Sequence, residues 1–219
     1  KRAIAAINSG RFIDEITPVT ILKNKGDKVI FDTDEYPRYR NENGKYFLDT
    51  SMEKLSNLRP AFQKNGTVTA GNSSGINDGA SAILLMSDEK SDELNLKPIA
   101  KWLGSATVGV DPSIMGIGPV PSTKKLLMRL GLTLGDIGLI EINEAFAAQT
   151  IGVMKELDID PDITNVNGGA IALGHPLGCS GTRILTTLIY EMKRRKIQYG
   201  LATLCVGVGQ GVTTIVELI

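Results

Sequence analysis

The chain has 219 residues, with 24 basic and 24 acidic side chains and therefore no formal net charge. This balance, without any basic block, argues against a nucleic-acid partner or an anionic membrane surface attracted by bulk charge, and no apolar run approaches the roughly 18 residues of a membrane span. Two cysteines cannot form a disulfide framework, so we expect a reducing compartment and predict a cytoplasmic protein.

Up to residue 98 the sequence predicts short elements joined by polar loops, from the apolar spacings typical of helices and strands. In chain order these are a helix at Lys1–Ser9, strands at Ile16–Leu22 and Lys28–Phe31, a loop or hairpin at Tyr36–Asp49, a short helix at Ser51–Leu58, a loop at Val68–Asp78, a buried strand at Ala80–Met86 and a polar helix or loop at Glu89–Asn95. The first residues resemble the end of a helix and no initiator Met is present, so we expect a piece of a longer protein.

From residue 99 onward strands and helices alternate more regularly. In chain order these are a strand at Ile99–Val110, a Gly/Pro loop at Met115–Pro121, a helix at Ser122–Leu130, a strand at Leu139–Ile142, helices at Ala145–Leu157 and Ser180–Lys196, and closing strands at Gly200–Cys205 and Val212–Leu218. Ser180 is predicted to cap the start of the last helix. The alternation, with a terminal hairpin, predicts an α/β fold with a mixed β-sheet and helices packed on its faces.

Two segments of this second part carry polar groups suited to chemistry. Asn143 follows a buried strand and precedes a helix, at the end of the strand where α/β proteins bind ligands. An amide there can hold a water or a carbonyl group, or it can simply cap the helix. His175, the only histidine, lies in a loop with five glycines between Asn167 and Gly181. Gly174 and Pro176 can aim its ring, although a lone histidine is often only a core or surface residue.

The third segment places a thiol at the end of a strand. Cys205 precedes a glycine-rich turn, and a buried cysteine is normally just a small apolar residue. The glycine spacing after it does not fit a dinucleotide-binding loop, because no helix follows. Together, a thiol, an imidazole and an amide suit acyl-thioester chemistry, which needs a base and donors for an oxyanion. A covalent mechanism also needs a nucleophile, and Cys179 lies too near His175 in sequence to be assigned that role.

Three motifs then occur in a fixed order. They are NEAFAAQ (Asn143–Gln149), GGAIALGHPLGCSGTR (Gly168–Arg183) and CVGVGQG (Cys205–Gly211). With supporting stretches such as LRPAF (Leu58–Phe62), GTVTAGNSSGINDGA (Gly66–Ala80) and MGIGPVP (Met115–Pro121), the chain resembles the carboxyl-terminal half of the thiolases over essentially its whole length. The resemblance implies a thiolase-like fold with residues 1–75 as the rear part of a CoA-binding loop domain, 76–98 as the last strand and helix of a mostly absent amino-terminal core domain, and 99–219 as a complete carboxyl-terminal core domain.

The resemblance also implies roles for individual residues. Cys205 would be the general acid/base, His175 would activate the nucleophilic cysteine and line an oxyanion hole, Asn143 would hold a water of that hole, and the Gly207 N–H would serve a second hole. The residues expected to border CoA are Arg38, Ala61, Phe62, Ala70, Ser74 and Ile76, and those expected to wall the acyl pocket and pantetheine tunnel are Met115, Ala145 and Phe146.

The implied reaction is the reversible condensation of two acetyl-CoA molecules through an acyl-cysteine intermediate. CoA is a substrate in this scheme, no permanent cofactor or metal is expected, and the complete enzyme would be a homo-oligomer, a dimer or tetramer. Because the resemblance puts the nucleophilic cysteine in the other half, we expect the 219 residues alone to be inactive. We also expect association through the apolar edge of the strand at Ala80–Met86.

Two alternatives remain open at this point. The chain could be a non-catalytic CoA-binding or assembly module that keeps the loops for folding. It could also resemble a β-ketoacyl synthase, although those enzymes normally use two histidines in this half, and the chain has one.

Overall fold

The computed structural model describes residues 1–23 and 26–219. Short elements fill the first part of the chain, and a four-stranded sheet with flanking helices fills the second. The helices are α1 (Arg2–Asn8), α2 (Met52–Ser56), α3 (Asp88–Glu93), α4 (Pro119–Leu130), α5 (Ala147–Leu157), α6 (Ala170–Leu173) and α7 (Ser180–Arg195). The strands are β1 (Val19–Leu22), β2 (Lys28–Phe31), β3 (Tyr39–Glu42), β4 (Lys45–Leu48), β5 (Ala100–Gly109), β6 (Leu139–Ile142), β7 (Tyr199–Val206) and β8 (Gln210–Leu218).

The main sheet is mixed and has the strand order β5-β8-β7-β6. β7 and β8 form the closing hairpin, β5 pairs antiparallel with β8, and β6 pairs parallel with β7. One face carries α4 and α5 over a core that includes Leu126, Ile140 and Leu201. The other face carries α7, whose Ile184, Leu188 and Met192 are buried against the sheet. The predicted α/β class and mixed sheet are therefore confirmed.

Sequence signals for turns and helix ends are visible in the geometry. Asn43 and Gly44 both have positive φ, 53° and 83°, and form the two-residue turn of the predicted β3–β4 hairpin. α4 begins with Pro119 in its first turn and ends at Gly131, which takes the left-handed conformation that favours glycine. The β1–β2 pair is present as predicted, with its strands in antiparallel register.

The predicted strand at Ala80–Met86 is wrong. Residues 80–86 have no regular secondary structure, and Leu84 and Leu85 are exposed rather than buried. An apolar run forms a strand only when a neighbouring strand satisfies its N–H and C=O groups, and no described strand pairs with this segment. Its predicted successor, the polar helix, is present as α3.

Helix ends differ from the prediction in two places. α4 begins three residues earlier than predicted, at Pro119, because proline is well suited to the first turn. α7 has Cys179 at its N-cap position and Ser180 as its first helical residue, so Ser180 is not the predicted cap. No helix among residues 1–23 and 26–219 is both long enough and apolar enough to cross a bilayer.

Candidate active site

The candidate site lies where β6 and β7 end side by side. These strands are parallel, and Ile142 is opposite Thr203 in their register. Asn143 continues from β6, and its N–H donates to the Thr203 carbonyl over 2.9 Å. Cys205 lies two residues further along β7, so both residues come to one edge of the sheet. This convergence follows from parallel pairing, because the carboxyl ends of parallel strands meet at the same edge.

The imidazole of His175 reaches this edge from the loop between α6 and α7, residues 174–179, which we call the histidine loop. His175 Nε2 is 3.2 Å from Nδ2 of Asn143, and Nδ1 is 2.5 Å from Oγ of Ser180. Both ring nitrogens are therefore engaged, one by the strand edge and one by α7. The ring is partly buried, so its orientation is fixed by both contacts.

Asn143 is fully buried and one of its polar atoms has no partner. The Nδ2 group contacts His175, whereas Oδ1 is inaccessible to solvent and makes no hydrogen bond within the described chain. A buried carbonyl oxygen without a partner is costly, and ordered water commonly satisfies such groups. The amide is thus positioned to hold a water next to the imidazole.

The Glu144 carboxylate and the Asn165 amide fix the segments that carry Asn143 and His175. Glu144 accepts from Nδ2 of Asn165 at 3.0 Å and from the Ile171 N–H at 3.1 Å, and so joins the end of β6 to α6. Asn165 in turn bonds both backbone groups of Ile142, with its Oδ1 at 2.8 Å from the N–H and its Nδ2 at 2.9 Å from the carbonyl. These contacts hold the strand end and the start of the glycine-rich segment in one arrangement.

A loop from the first part of the chain lies against both segments. The Ser74 N–H and hydroxyl donate to the Ala145 carbonyl at 3.0 and 3.1 Å. Ser73 forms a bridge with Phe146, and Ile76 forms one with His175. The Asn77 side chain accepts from the His175 N–H at 3.2 Å. Residues predicted to border CoA and residues predicted to wall the acyl pocket therefore come together.

The remaining predicted CoA residues are placed around this loop. Arg38 donates to the Ala70 carbonyl at 3.4 Å, and both residues are exposed. Phe62 is 77% exposed, and its ring packs edge-on against Phe146 with centroids 6.1 Å apart. Ala61 is exposed next to it, and Met115 is partly buried in the short helix before α4. An exposed aromatic ring beside a site is available to a ligand.

Cys205 and Gly207 belong to the hairpin that ends the chain. Cys205 is buried near the end of β7, opposite Gly211 of β8, and Gly207 is exposed in the turn that follows. The next turn residue, Val208, has a φ of 62°, which is unusual for a β-branched residue. This conformation shapes the turn so that the Gly207 backbone is open to solvent at the edge.

Burial favours the neutral forms of the His175 imidazole and the Cys205 thiol. It lowers the pKa of His175 from its usual value, and the nearby positive charge of Arg183 lowers it further. Burial likewise raises the pKa of the Cys205 thiol. At neutral pH the edge therefore presents an uncharged imidazole, a thiol and an amide, which is a set that can exchange protons with a bound molecule. Within the described ranges, no three His, Cys, Asp or Glu side chains are grouped to hold a metal ion.

Three residues that position the site were not identified from the sequence. Ser180 was predicted to cap α7, but its hydroxyl contacts the imidazole instead. Asn77 and Glu144 lie inside the recognised motifs, but nothing in their spacing indicates which backbone groups they would bind. The signal that could have drawn attention to Glu144 is its position directly after Asn143 at a strand end, where a carboxylate needs partners.

Comparison with known families matches nearly the whole chain. The model for the thiolase C-terminal domain matches residues 96–218, and the model for the thiolase N-terminal domain matches residues 1–89. Acetyl-CoA acetyltransferase from Chromobacterium violaceum is 55% identical over 217 residues, covering 99% of this chain and 53% of the relative. The protein of the same name from Syntrophomonas wolfei is 55% identical over 217 residues, covering 98% of this chain and 52% of the relative.

Solved structures agree with these matches. A crystal structure of Bacillus anthracis acetyl-CoA acetyltransferase superposes with a TM-score of 0.93 at 50% identity, over 100% of this chain and 53% of that one. Human mitochondrial 3-ketoacyl-CoA thiolase in complex with CoA superposes with a TM-score of 0.87 at 42% identity, over 100% of this chain and 52% of that one. The chain therefore spans about half the length of the relatives it matches.

Proposed function

The chain belongs to the thiolase family, and from this membership we propose that it carries the proton-transfer part of an acetyl-CoA acetyltransferase active site. The whole enzyme would pass an acetyl group from CoA to a nucleophilic cysteine and then to the carbanion of a second acetyl-CoA, giving acetoacetyl-CoA and CoA reversibly. The observation that carries the proposal is the contact between Asn143 and His175 at the edge where β7 brings Cys205. The Asn143 Oδ1 beside this contact is buried and has no partner among the described residues.

In the first step of the proposed reaction, His175 accepts the proton of the nucleophilic thiol. The new thioester bond forms as the bond between the acetyl carbon and the CoA sulfur breaks, and Cys205 gives its proton to the departing CoA thiolate. Burial supports this use of Cys205, because a thiol with a raised pKa still holds its proton at neutral pH.

In the second step, the Cys205 thiolate removes a methyl proton from another acetyl-CoA. The resulting carbanion attacks the acetyl carbon, the carbon–sulfur bond to the nucleophile breaks, and the released thiolate takes its proton back from His175. A thioester methyl group is only weakly acidic, so the enolate oxygen needs donors. The protonated His175 ring and a water held by Asn143 would supply them, and one donor of this kind lowers the activation barrier by about 3–4 kcal/mol in comparable enzymes. The Gly207 N–H would stabilise the tetrahedral intermediate.

CoA would lie along the loop that packs on Ala145 and Phe146. Phe62 offers an exposed ring next to Phe146, and Arg38 offers a charge near Ala70 for the nucleotide end. The residues proposed to contact CoA are the set named from the sequence: Arg38, Ala61, Phe62, Ala70, Ser74, Ile76, Met115, Ala145 and Phe146. CoA is then a substrate and not a resident cofactor.

The test uses acetoacetyl-CoA thiolysis after co-expression with the part of the Chromobacterium violaceum relative that this chain does not cover. We expect activity in the reconstituted complex and a loss of about 10²–10⁴-fold for Cys205→Ser, the range typical of a lost general acid/base. Cys179→Ser is the matched control, since both thiols are 7% exposed and receive the same change. Equal effects of the two substitutions would contradict the role of Cys205.

We further propose that the 219 residues alone do not catalyse thiolysis, because the family resemblance places the acyl-carrying cysteine in the other half. Measurable thiolysis by the purified chain would refute this. Calorimetry addresses the non-catalytic alternative: CoA binding that persists in Cys205→Ala and His175→Ala, together with no reconstituted activity, would favour a CoA-binding or assembly module.

For the whole protein we propose a cytoplasmic homo-oligomer, a dimer or a tetramer. The oligomer follows from the resemblance, and the compartment follows from the two cysteines, which are too few for a disulfide framework. Light scattering on the reconstituted complex gives its mass, and a species containing a single copy of each half would contradict the oligomer. Fractionation of the source cells, with the protein found outside the cytoplasm, would contradict the compartment.

A further inference from the structure

The hydrogen bonds of the His175 ring continue through Ser180 to the backbone of the histidine loop. Nδ1 lies 2.5 Å from Oγ of Ser180, and this hydroxyl donates to the Pro176 carbonyl at 3.0 Å. Ser180 has no accessible surface and is the first residue of α7, so its hydroxyl cannot turn to solvent. The N-cap position of the helix is occupied by Cys179 instead. The Ser180 Oγ atom therefore makes both of its hydrogen bonds to residues of the histidine loop.

The three hydrogen bonds share one direction. The Asn143 Nδ2 group can only donate, so His175 Nε2 must accept. A neutral imidazole with a bare Nε2 carries its proton on Nδ1, which then donates to Ser180 Oγ. The Ser180 proton is directed to Pro176, and its oxygen lone pairs are left free to accept. Each group thus donates to the next, from the amide to the ring, to the hydroxyl and to the carbonyl.

We propose that Ser180 is a positioning residue that selects the Nδ1–H tautomer of His175 and so leaves Nε2 as the basic nitrogen facing Asn143. Which ring nitrogen carries the proton is set by the hydrogen bond that the other makes. The importance of this choice rests on the proposed function, in which Nε2 receives the proton of the nucleophilic thiol. The tautomer itself is a property of this chain and can be measured without any activity.

Nuclear magnetic resonance can read the tautomer directly, because the chain has a single histidine. In the chain labelled with ¹⁵N-histidine, we expect the spectrum at neutral pH to show Nδ1 protonated and Nε2 unprotonated. Ser180→Ala is expected to shift the ratio of tautomers about tenfold toward Nε2–H, as the loss of one hydrogen bond to the ring implies. Ser180→Thr retains the hydroxyl and is expected to restore the wild-type ratio.

Thr182→Ala is the matched control. It removes a hydroxyl from the same helix two residues away, at a side chain that makes no hydrogen bond to a described residue, and it is expected to leave the ratio unchanged. A wild-type spectrum with Nε2–H, or a folded Ser180→Ala chain with the wild-type ratio, would overturn the proposal. If Ser180→Ala does not fold, the wild-type spectrum and the Thr variant still decide it.

The outcomes separate this inference from the proposed function. An Nδ1–H ring that responds to Ser180→Ala, in a chain that never shows reconstituted thiolysis, would support the positioning role and refute the acyl transfer. An active reconstituted complex in which His175 carries its proton on Nε2 would support the acyl transfer and refute the positioning role of Ser180.

Discussion

Gly174 fixes the conformation of the histidine loop at the residue that precedes His175. Its φ of 97° and ψ of 162° lie in a region that is essentially restricted to glycine. A Cβ at this position would lie 2.7 Å from Oδ1 of Asn77, the atom that accepts the His175 N–H. The absence of a side chain thus permits both the backbone turn and the contact that holds the loop.

Gly174→Ala is expected to destabilise the chain by about 1–3 kcal/mol, the cost of a residue forced into such a conformation. Gly178→Ala is the control in the same loop, because a Cβ there meets nothing within 4 Å and its φ is not in the left-handed region. We expect this control to lie within about 0.5 kcal/mol of wild type. Urea unfolding measures both, and equal losses would show that the conformation of Gly174 is not the cause.

The side chains proposed to take part in the reaction were easier to predict from the sequence than the residues that position them. His175 is the only histidine, Cys205 is one of two cysteines, and Asn143 directly follows a buried strand, so the sequence marks all three. Ser180 could not be distinguished from a helix cap, because the same hydroxyl at the same position suits either use. Only the three-dimensional path of the histidine loop decides between them.

At the scale of elements, β6 stands out because all four of its residues are buried and one is a glutamate. Burial raises the pKa of Glu141 to about 8, with Arg183 opposing the shift and Glu144, Glu15 and Glu191 adding to it. One of its carboxylate oxygens has no partner within the described chain. The strand therefore carries a group that is protonated in the native state at neutral pH.

Glu141→Gln is expected to remove a loss of folding stability that grows as the pH rises. In the unfolded chain the carboxyl titrates near its usual 4.5, whereas in the native state it titrates near 8. The native state therefore binds the extra proton between these values, and its stability falls as pH rises through this window. Relative to wild type, the variant should gain stability from pH 5 to pH 8, by an amount on the order of a few kcal/mol.

Chemical denaturation at several pH values gives this difference. Comparing variant with wild type cancels His175, whose lowered pKa makes stability rise with pH over the lower part of the window. Glu156→Gln on the exposed surface of α5 is the control for the change of glutamate to glutamine itself. A difference between Glu141→Gln and wild type that does not change with pH would mean that the Glu141 carboxyl is ionised in the native state.

Elements with local signals were predicted well, and the one that needs a distant partner was not. The β3–β4 hairpin follows from its Asn-Gly turn, and β6 follows from an apolar run that does pair, with β7. The run at residues 80–86 has the same composition as a strand, but no described strand pairs with it. The composition of a segment indicates that it could form a strand, whereas strand pairing depends on which other segments lie next to it in the folded chain.

For the molecule as a whole, the unpaired segment leaves an apolar surface. Leu84 and Leu85 are 78% and 71% exposed, and Ile76 nearby in sequence is fully exposed. Adjacent apolar side chains in an extended segment with free backbone groups favour association, through both burial and strand pairing. The prediction that this segment promotes association therefore stands, although the segment is not a strand.

We expect the chain to self-associate at micromolar concentration, and the double substitution Leu84→Lys with Leu85→Lys to reduce this, because two charges would oppose burial of the segment. Met128→Lys is the control, since Met128 on α4 is also 78% exposed. Gel filtration with light scattering measures the mass of each chain. A wild-type monomer, or an equal effect of the control, would rule out this segment as the cause.

The contact between Asn77 and His175 bears on how this family can be dissected. The two family models divide the chain between residues 89 and 96, yet the backbone of the histidine is held by residues 76 and 77, on the far side of that division. A gene truncated at the start of the carboxyl-terminal match would still encode every motif that carries chemistry. Its product would keep the four sheet strands and both contacts of the imidazole, with Asn143 and Ser180, but would lose the contacts that hold the His175 backbone. Domain limits drawn from sequence similarity are therefore the wrong place to cut.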